Sequence, residues 1–173
     1  MLIQQMRAVA VFSSDPVYGV VLFTQVDQDV RVDISMDRLP SGEHGIHIHK
    51  SGDLRQGCKS LCDHWSSQFG SYIAQRVHGG PPPLWSDPIK RPMPLHEILG
   101  RHTGDLGNVS TQMRRVSYRL QNVSVEELLG RSVIVHEDAD DYGAGLHEDS
   151  KTTGHSGTRI ACALIGRIDC ETA

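Results

Sequence analysis

The sequence predicts an all-β fold, an antiparallel sandwich or barrel of eight short strands joined by two long loops. Two observations support this prediction: apolar and polar residues alternate in many short segments, and a helical repeat is almost absent. The alternation is clearest in VRVDIS, where Val30, Val32 and Ile34 are separated by polar residues, as in a half-buried strand. The predicted strands are 7–12, 18–24, 30–35, 44–49, 105–111, 115–121, 131–136 and 159–168.

One short helix is predicted in the segment SVEELL. Ser124 and Glu127 have the spacing of a capping box, in which each side chain accepts a hydrogen bond from the other residue's backbone N–H. Because the apolar pattern ends soon afterwards, we expect no more than one or two turns.

Two long segments interrupt the predicted strands. The first spans 51–104 and contains six of the eight prolines, between Pro81 and Pro94, and the second spans 137–158 and is rich in Asp, Gly, Ser and Thr. Loops of this length in a compact domain are usually functional or disordered. We predict a single domain over 1–173, a length that buries a core without the help of metals or disulfides.

The charge and hydropathy patterns disfavour nucleic-acid and membrane partners. The net charge is −4, there is no run of lysine or arginine, and no stretch approaches the roughly 20 apolar residues of a membrane span. The opening MLIQQMRAVAVF lacks the pattern of a signal peptide and leads directly into a strand. We therefore expect a cytoplasmic protein, although a processed secreted form fits the same sequence.

Several histidines are placed where they can converge on a metal ion. His47 and His49 are two residues apart on a predicted strand, so their side chains leave the same face, and His136 ends another strand. Further candidate ligands are His64, His78, His102 and Asp105. Imidazole suits zinc and copper, and one carboxylate is compatible with zinc. We expect His44, the remaining histidine of this strand, to be a strand-edge residue.

The four cysteines leave their own chemistry open. Cys58, Cys62, Cys162 and Cys170 allow three complete pairings, between which the spacing does not choose. Cytosolic thiols are normally reduced, and CKSLCDH also fits a Cys/Cys/His zinc site. The residues alone therefore predict either disulfides or a thiolate site.

A series of motifs follows a recognisable order over nearly the whole chain. They are HGIHIH at 44–49, GC at 57–58, HGGP at 78–81, RHTGDLGNV at 101–109, GRSVIVHEDADDYG at 130–143 and GTRIACALIG at 157–166. Together they resemble the motifs of the copper/zinc superoxide dismutases. The resemblance implies a Greek-key β-sandwich or barrel, in which 51–104 is a disulfide and zinc loop enlarged by insertions and 137–158 is an electrostatic-type loop.

The resemblance implies two metal sites that share a bridging histidine, His64. The copper ligands would be His47, His49, His64 and His136. The zinc ligands would be His64, His78, His102 and Asp105. Asp140 would link a copper histidine to a zinc histidine, and Arg159 would hold the superoxide anion beside the copper.

The activity that the resemblance implies is dismutation of superoxide to oxygen and hydrogen peroxide. Copper would cycle between Cu(II) and Cu(I), with Arg159 and His64 as catalytic residues. The partners that the resemblance implies are a second copy of the chain, forming a homodimer, and a copper chaperone. The resemblance also implies a Cys58–Cys162 disulfide, whose loop closure contributes about 4 to 5 kcal/mol in the chain-entropy model. Cys62 and Cys170 would then be free thiols or a second bridge.

Some positions depart from the family pattern near the expected substrate channel. Lys50 stands where an acidic residue is common, and Thr152 occupies a lysine position, with Lys151 one place earlier. Glu148 and Asp149 retain an acidic pair. Electrostatic steering of superoxide is therefore expected to be altered.

The expected dimer face also carries one departure. The apolar patch would consist of Val9, Val11, Gly130, Leu164 and Ile165. Arg167 stands at a position that is usually apolar, and a buried unpaired arginine would be costly.

Two other functions are compatible with the sequence. One is a dismutase-like module or decoy that binds or delivers copper without catalysis, although such relatives commonly lack some copper ligands and this chain lacks none. The other is a structural zinc protein whose enlarged loop contacts a partner.

Overall fold

The structure is a computed structural model that describes residues 5–67, 78–89 and 101–169. These ranges contain ten strands and two short helices. The strands are β1 Arg7–Ser14, β2 Val17–Val26, β3 Asp29–Arg38, β4 Glu43–His49, β5 Arg55–Cys58, β6 Asp105–Ser110, β7 Arg115–Leu120, β8 Ser132–His136, β9 Arg159–Leu164 and β10 Gly166–Ile168. The helices are α1 Val125–Leu128 and α2 Ser150–Thr153.

Two antiparallel sheets form the body of the fold. The first has the order β10-β1-β2-β3-β7 and the second has the order β6-β4-β8-β9. Strands of both sheets direct side chains into a shared core, where Phe23, Ile46 and Leu106 are fully buried. In β3, Val30, Val32 and Ile34 are buried while the residues between them are partly exposed, as the alternation predicted. The predicted antiparallel Greek-key β fold is confirmed.

The last predicted strand, 159–168, is divided between the two sheets. β9 pairs with β8 in the second sheet, whereas β10 pairs with β1 in the first. Between them Ile165 is buried in the core, and its backbone bonds to Gly130 and Arg131. The continuous apolar run at 160–165 does not reveal this corner. The placement of Ile165 in an exposed dimer patch was wrong, because its side chain lies inside the sandwich.

The short elements outside the sheets were predicted only in part. The capping box of α1 is confirmed: Ser124 accepts from the backbone N–H of Glu127, whose side chain accepts from the backbone N–H of Ser124. No strand was predicted within 51–104, so β5 was missed. The helix α2 was not predicted either; its C-terminal cap is Gly154, with a φ of 68°. In the described part of the chain no helix is long and apolar enough to cross a membrane.

Candidate metal centre

Two neighbouring strands of the second sheet carry the predicted copper-binding histidines. His47 and His49 lie on β4, which pairs with β8, and His136 is the last residue of β8. A single β-bridge places His64 beside His49. The possible ligand atoms of these four histidines all lie within 4.8 Å of one another. The sheet therefore brings together the complete predicted copper set.

Three of these histidines each use one ring nitrogen to fix the ring. His49 Nδ1 donates to the Cys62 carbonyl at 2.8 Å, and His136 Nδ1 donates to the Gly157 carbonyl at 3.2 Å. His47 Nε2 lies 2.8 Å from Asp140 Oδ2. Among the described residues their other nitrogens, His47 Nδ1, His49 Nε2 and His136 Nε2, are buried without a hydrogen-bond partner.

Buried polar atoms are normally hydrogen-bonded, so three orphaned nitrogens in one cluster call for a ligand. Burial also lowers the pKa of His47 and His49 well below its ordinary value and lowers the pKa of His136 to about 4. The histidines are therefore neutral near pH 7, which is the form that binds metal. A set of four imidazole nitrogens suits copper, as it suits several other first-row transition metals.

The predicted zinc ligands meet on the other side of His64. His64 Nδ1 lies 2.9 Å from Asp105 Oδ1, and His78 Nδ1 lies 3.2 Å from the same oxygen. The possible ligand atoms of His47, His64, His78 and Asp105 fall within 4.8 Å of one another. His102 is outside that limit, but its Nδ1 lies 3.5 Å from Asp105 Oδ2.

The charges on this side suit a cation. Burial would raise the pKa of Asp105, but the neighbouring His102, His64 and His78 hold it well below its ordinary value. Burial would lower the pKa of His78, but hydrogen bonds with Asp105 and Asp140 raise it to about 9. An ionised carboxylate among imidazoles is a donor set that fits zinc. In the ranges 5–67, 78–89 and 101–169, the two groups described are the only ones of this kind.

Asp140 links the two groups, as predicted. Its Oδ2 contacts His47 Nε2 at 2.8 Å and its Oδ1 contacts His78 Nε2 at 2.6 Å. Asn108 holds the backbone of Asp140 on both sides, since its side chain donates to the carbonyl and accepts from the N–H. At Gly154 an added Cβ would lie 2.2 Å from Asp140 Oδ1, so the chain passes too close for a side chain.

Arg159 lies directly across from His136 on the neighbouring strand. Its guanidinium donates to the Cys58 carbonyl at 2.8 Å and to the Cys62 carbonyl at 2.6 Å, and the second of these also accepts from His49. These two backbone carbonyls hold the guanidinium next to the copper-side histidines.

The predicted disulfide is present between Cys58 and Cys162, with a Cα–Cα distance of 5.7 Å. The alternative Cys/Cys/His zinc site is thereby excluded, because Cys58 has no free thiolate. Cys62 carries an exposed free thiol at a φ of 60°, a left-handed conformation that favours glycine. Cys170 lies outside the described residues.

Two other residues were not identified from the sequence. His44 is a buried structural residue, not a strand-edge one, because its Nδ1 donates to the His136 carbonyl at 2.9 Å. Asn108, which fixes Asp140, lies within the motif at 101–109, but no role was predicted for it from the sequence. Of the departures near the expected channel, Lys50 is exposed and lies 3.7 Å from Asp63, and Lys151 is exposed on α2.

Comparison with known proteins identifies the family. The family model for copper/zinc superoxide dismutase matches residues 17–165. An extracellular copper/zinc superoxide dismutase from Drosophila melanogaster is 42% identical over 159 residues, which is 87% of this chain and 76% of that protein. A copper chaperone for superoxide dismutase from Rattus norvegicus is 37% identical over 165 residues, which is 92% of this chain and 53% of the chaperone.

A comparison with solved structures also supports this family. The crystal structure of the clock protein EA4 superposes with a TM-score of 0.72 at 36% identity, covering 92% of this chain and 93% of that one. Copper and zinc are the metals of the matched family, and both histidine groups described above fit them. This chain belongs to the copper/zinc superoxide dismutase family.

Proposed function

We propose that this chain catalyses the dismutation of superoxide. The observation that carries the proposal is the complete set of copper-side histidines, with three orphaned nitrogens directed into one cluster and Arg159 fixed beside it. The proposed copper ligands are His47, His49, His64 and His136. The proposed zinc ligands are His64, His78, His102 and Asp105. Bound copper supplies one-electron redox chemistry, which the side chains of this chain do not offer.

Arg159 binds the substrate anion in this proposal. Its guanidinium carries a positive charge, and its hydrogen bonds to the Cys58 and Cys62 carbonyls hold it in one place. An anion that approaches the copper-side histidines therefore meets a fixed positive charge with N–H donors. Its binding requires no rearrangement of the arginine, because the neighbouring carbonyls already orient it.

His64 handles a proton in this proposal. Dismutation of two superoxide anions consumes two protons and yields one oxygen and one hydrogen peroxide. On the zinc side His64 Nδ1 is held by Asp105 at 2.9 Å, which leaves Nε2 on the copper side as the atom that can carry a proton. Burial lowers the pKa of His64, so a proton placed on it is readily given up to a peroxide anion.

Copper delivery without catalysis is the second candidate function. The observation that favours it is the likeness to the copper chaperone, although the chain spans only about half of that protein. Delivery requires that bound copper leave for an acceptor protein. A full set of four histidines on or beside two paired strands favours retention instead.

A second copy of this chain is the proposed partner. Val11, Leu54 and Leu164 are exposed by 52%, 46% and 41%, and they provide apolar surface for a homodimer. Arg167 forms an ion pair at this edge, because its Nε lies 2.6 Å from Asp169 Oδ1. Sedimentation at increasing protein concentration tests this proposal, and a monomer at every concentration contradicts it.

Superoxide decay after pulse radiolysis tests the proposed activity. Protein loaded with one copper and one zinc per chain should remove superoxide at about 10⁸ to 10⁹ M⁻¹s⁻¹, and the rate should fall as ionic strength rises. Arg159→Gln should lower the rate roughly 10- to 100-fold, as expected for loss of hydrogen bonds to a charged group. Arg38→Gln, which removes an exposed arginine elsewhere, is the matched control.

Two outcomes of this experiment separate the candidate functions. A two-metal protein without copper-dependent decay of superoxide contradicts dismutation. If that protein also transfers its copper to a metal-free dismutase, copper delivery becomes the proposed function in place of dismutation.

A further inference from the structure

The residues that follow His78 run from the metal centre to the edge of the first sheet, and each step is held by a contact. The backbone N–H of Gly79 donates to Asp105 Oδ2 at 3.1 Å, and the Gly80 carbonyl accepts from Arg101 Nε at 2.8 Å. Pro81 then packs on Gly107, where an added Cβ would lie 2.9 Å from the proline ring. The segment is therefore continuous with the zinc side of the centre.

The same segment next pairs with β7, an outer strand of the first sheet. The backbone N–H of Arg119 donates to the Pro83 carbonyl at 2.9 Å, and that of Trp85 donates to the Ser117 carbonyl at 2.8 Å. Leu84 and Tyr118 form the antiparallel bridge between these bonds. The proline-rich insertion thus covers part of a sheet edge that would otherwise expose backbone groups.

Trp85 is held at this edge by two arginines. Arg31 and Arg119 stand directly opposite each other on β3 and β7, an arrangement in which like charges repel. Their guanidinium carbons lie 5.6 Å and 4.1 Å from the centre of the Trp85 ring, whose negative face attracts both cations. Arg119 also donates to the Trp85 carbonyl at 2.9 Å. We refer to Trp85, Arg31 and Arg119 as the tryptophan anchor.

The position of the tryptophan anchor along the chain links it to the zinc side. The residues between His78 and His102 number 23, from 79 to 101, and Trp85 divides them into 6 residues before it and 16 after it. The entropy lost on closing a loop grows with its length. Fixing Trp85 therefore restricts the conformations open to His78 before any metal binds.

We propose that Trp85 is a positioning residue for the zinc site, acting through the segment that ends at His78. The inference rests on the zinc ligand set proposed above. The proposed role of the insertion is therefore in zinc affinity. The tryptophan anchor would offset part of the entropy lost on closing the 23-residue connection between His78 and His102.

Zinc affinity in disulfide-intact protein tests this inference. Trp85→Ala should weaken zinc binding about tenfold in competition with a chelator, within the 10- to 100-fold typical of groups that orient metal ligands. Trp85→Phe, which keeps an aromatic face for the arginines, should restore most of the affinity. Leu84→Ala, an exposed neighbour in the same segment, is the matched control and should leave zinc binding unchanged.

Two further readouts distinguish positioning from a general loss of structure. In Trp85→Ala the absorption spectrum of cobalt bound at the zinc site should change, while copper affinity should stay within about twofold of the unmodified protein. Unchanged zinc affinity, or an equal loss of copper and zinc affinity, overturns the inference. If His102→Ala leaves zinc binding intact, the proposed ligand set fails instead.

Discussion

The two halves of the metal centre are built in different ways. On the copper side, His47, His49 and His136 lie on two paired strands whose register is set by the core. On the zinc side, His64, His78 and His102 lie outside the named strands of 51–104 and converge on Asp105, the first residue of β6. Strand pairing fixes the first set, whereas local hydrogen bonds and Asp105 fix the second.

This difference indicates how strongly the structure of each half depends on its metal. The copper-side rings are anchored by Asp140 and by backbone carbonyls, and their free nitrogens are already buried together. The zinc-side ligands are held chiefly by one another and by two carboxylates. We therefore expect zinc to organise its half to a greater extent than copper organises the other.

Removing one ligand from each half separates them, and this should give the largest effect. His136→Ala should abolish superoxide dismutation, because it removes one of the orphaned nitrogens, while zinc binding is retained. His102→Ala should have the opposite effect on metal content: zinc is released while copper stays bound. Metal content and superoxide decay measured on both variants test this. Full activity in His136→Ala would contradict the assignment of His136 as a copper ligand.

Asp140 belongs to both halves, so its substitution should affect both unequally. Asp140→Asn keeps the shape of the side chain but loses the charge that faces His47 and His78. We expect zinc affinity to fall about 10- to 100-fold and copper affinity to fall less, since copper keeps three other histidines. Chelator competition for each metal measures this difference. An equal loss of both affinities would contradict the division into two halves.

The metal-free halves should respond to pH in opposite directions. Burial lowers the pKa of His136 to about 4, so its contribution to stability is lost as pH falls from 6.5 to 4, which amounts to about 3 kcal/mol. Contacts with Asp105 and Asp140 raise the pKa of His78 to about 9, so its contribution is present below 6.5 and lost as pH rises through 9.

Stability of the metal-free protein should therefore be greatest near pH 6.5. Denaturant unfolding in the presence of a chelator, from pH 4 to 9, measures the curve. His136→Gln should reduce the slope of the acidic side, to which the buried His47 and His49 also contribute, and should leave the alkaline side unchanged. A variant curve that keeps the same acidic slope would show that other groups cause it.

The smallest expected effect concerns the residue that joins His49 to Arg159. Cys62 has a φ of 60°, which is strained for any residue with a Cβ. Cys62→Gly should raise the free energy of unfolding by up to about 1 kcal/mol, because relief of strain slightly exceeds the added entropy of the unfolded chain. Cys62→Ala, which removes the thiol but keeps the Cβ, is the control. Equal stability of both variants would argue against backbone strain.

The sequence was most informative where periodicity and chemistry coincide. The alternation in eight segments predicted the fold, and the spacing of His47 and His49 on one predicted strand indicated a shared face, because alternate residues of a strand point the same way. The corner at Ile165 was not predicted, because 159–168 was interpreted as one strand and its apolar run continues through residue 165. His44 was misjudged because its partner, the His136 carbonyl, is distant in sequence. The cytoplasmic location and the homodimer stay predictions.

The division of 159–168 between the two sheets has a consequence for biosynthesis. β10 closes the first sheet by pairing with β1, so that Arg7 meets Ile168, and β9 brings Arg159 and Cys162 to β8. Contacts between such distant residues form slowly, and only after the intervening chain has been made. A ribosome-bound chain that ends before β9 lacks both the arginine proposed to bind superoxide and one disulfide partner. Formation of the disulfide and placement of Arg159 beside the copper-side histidines must therefore follow translation of β9.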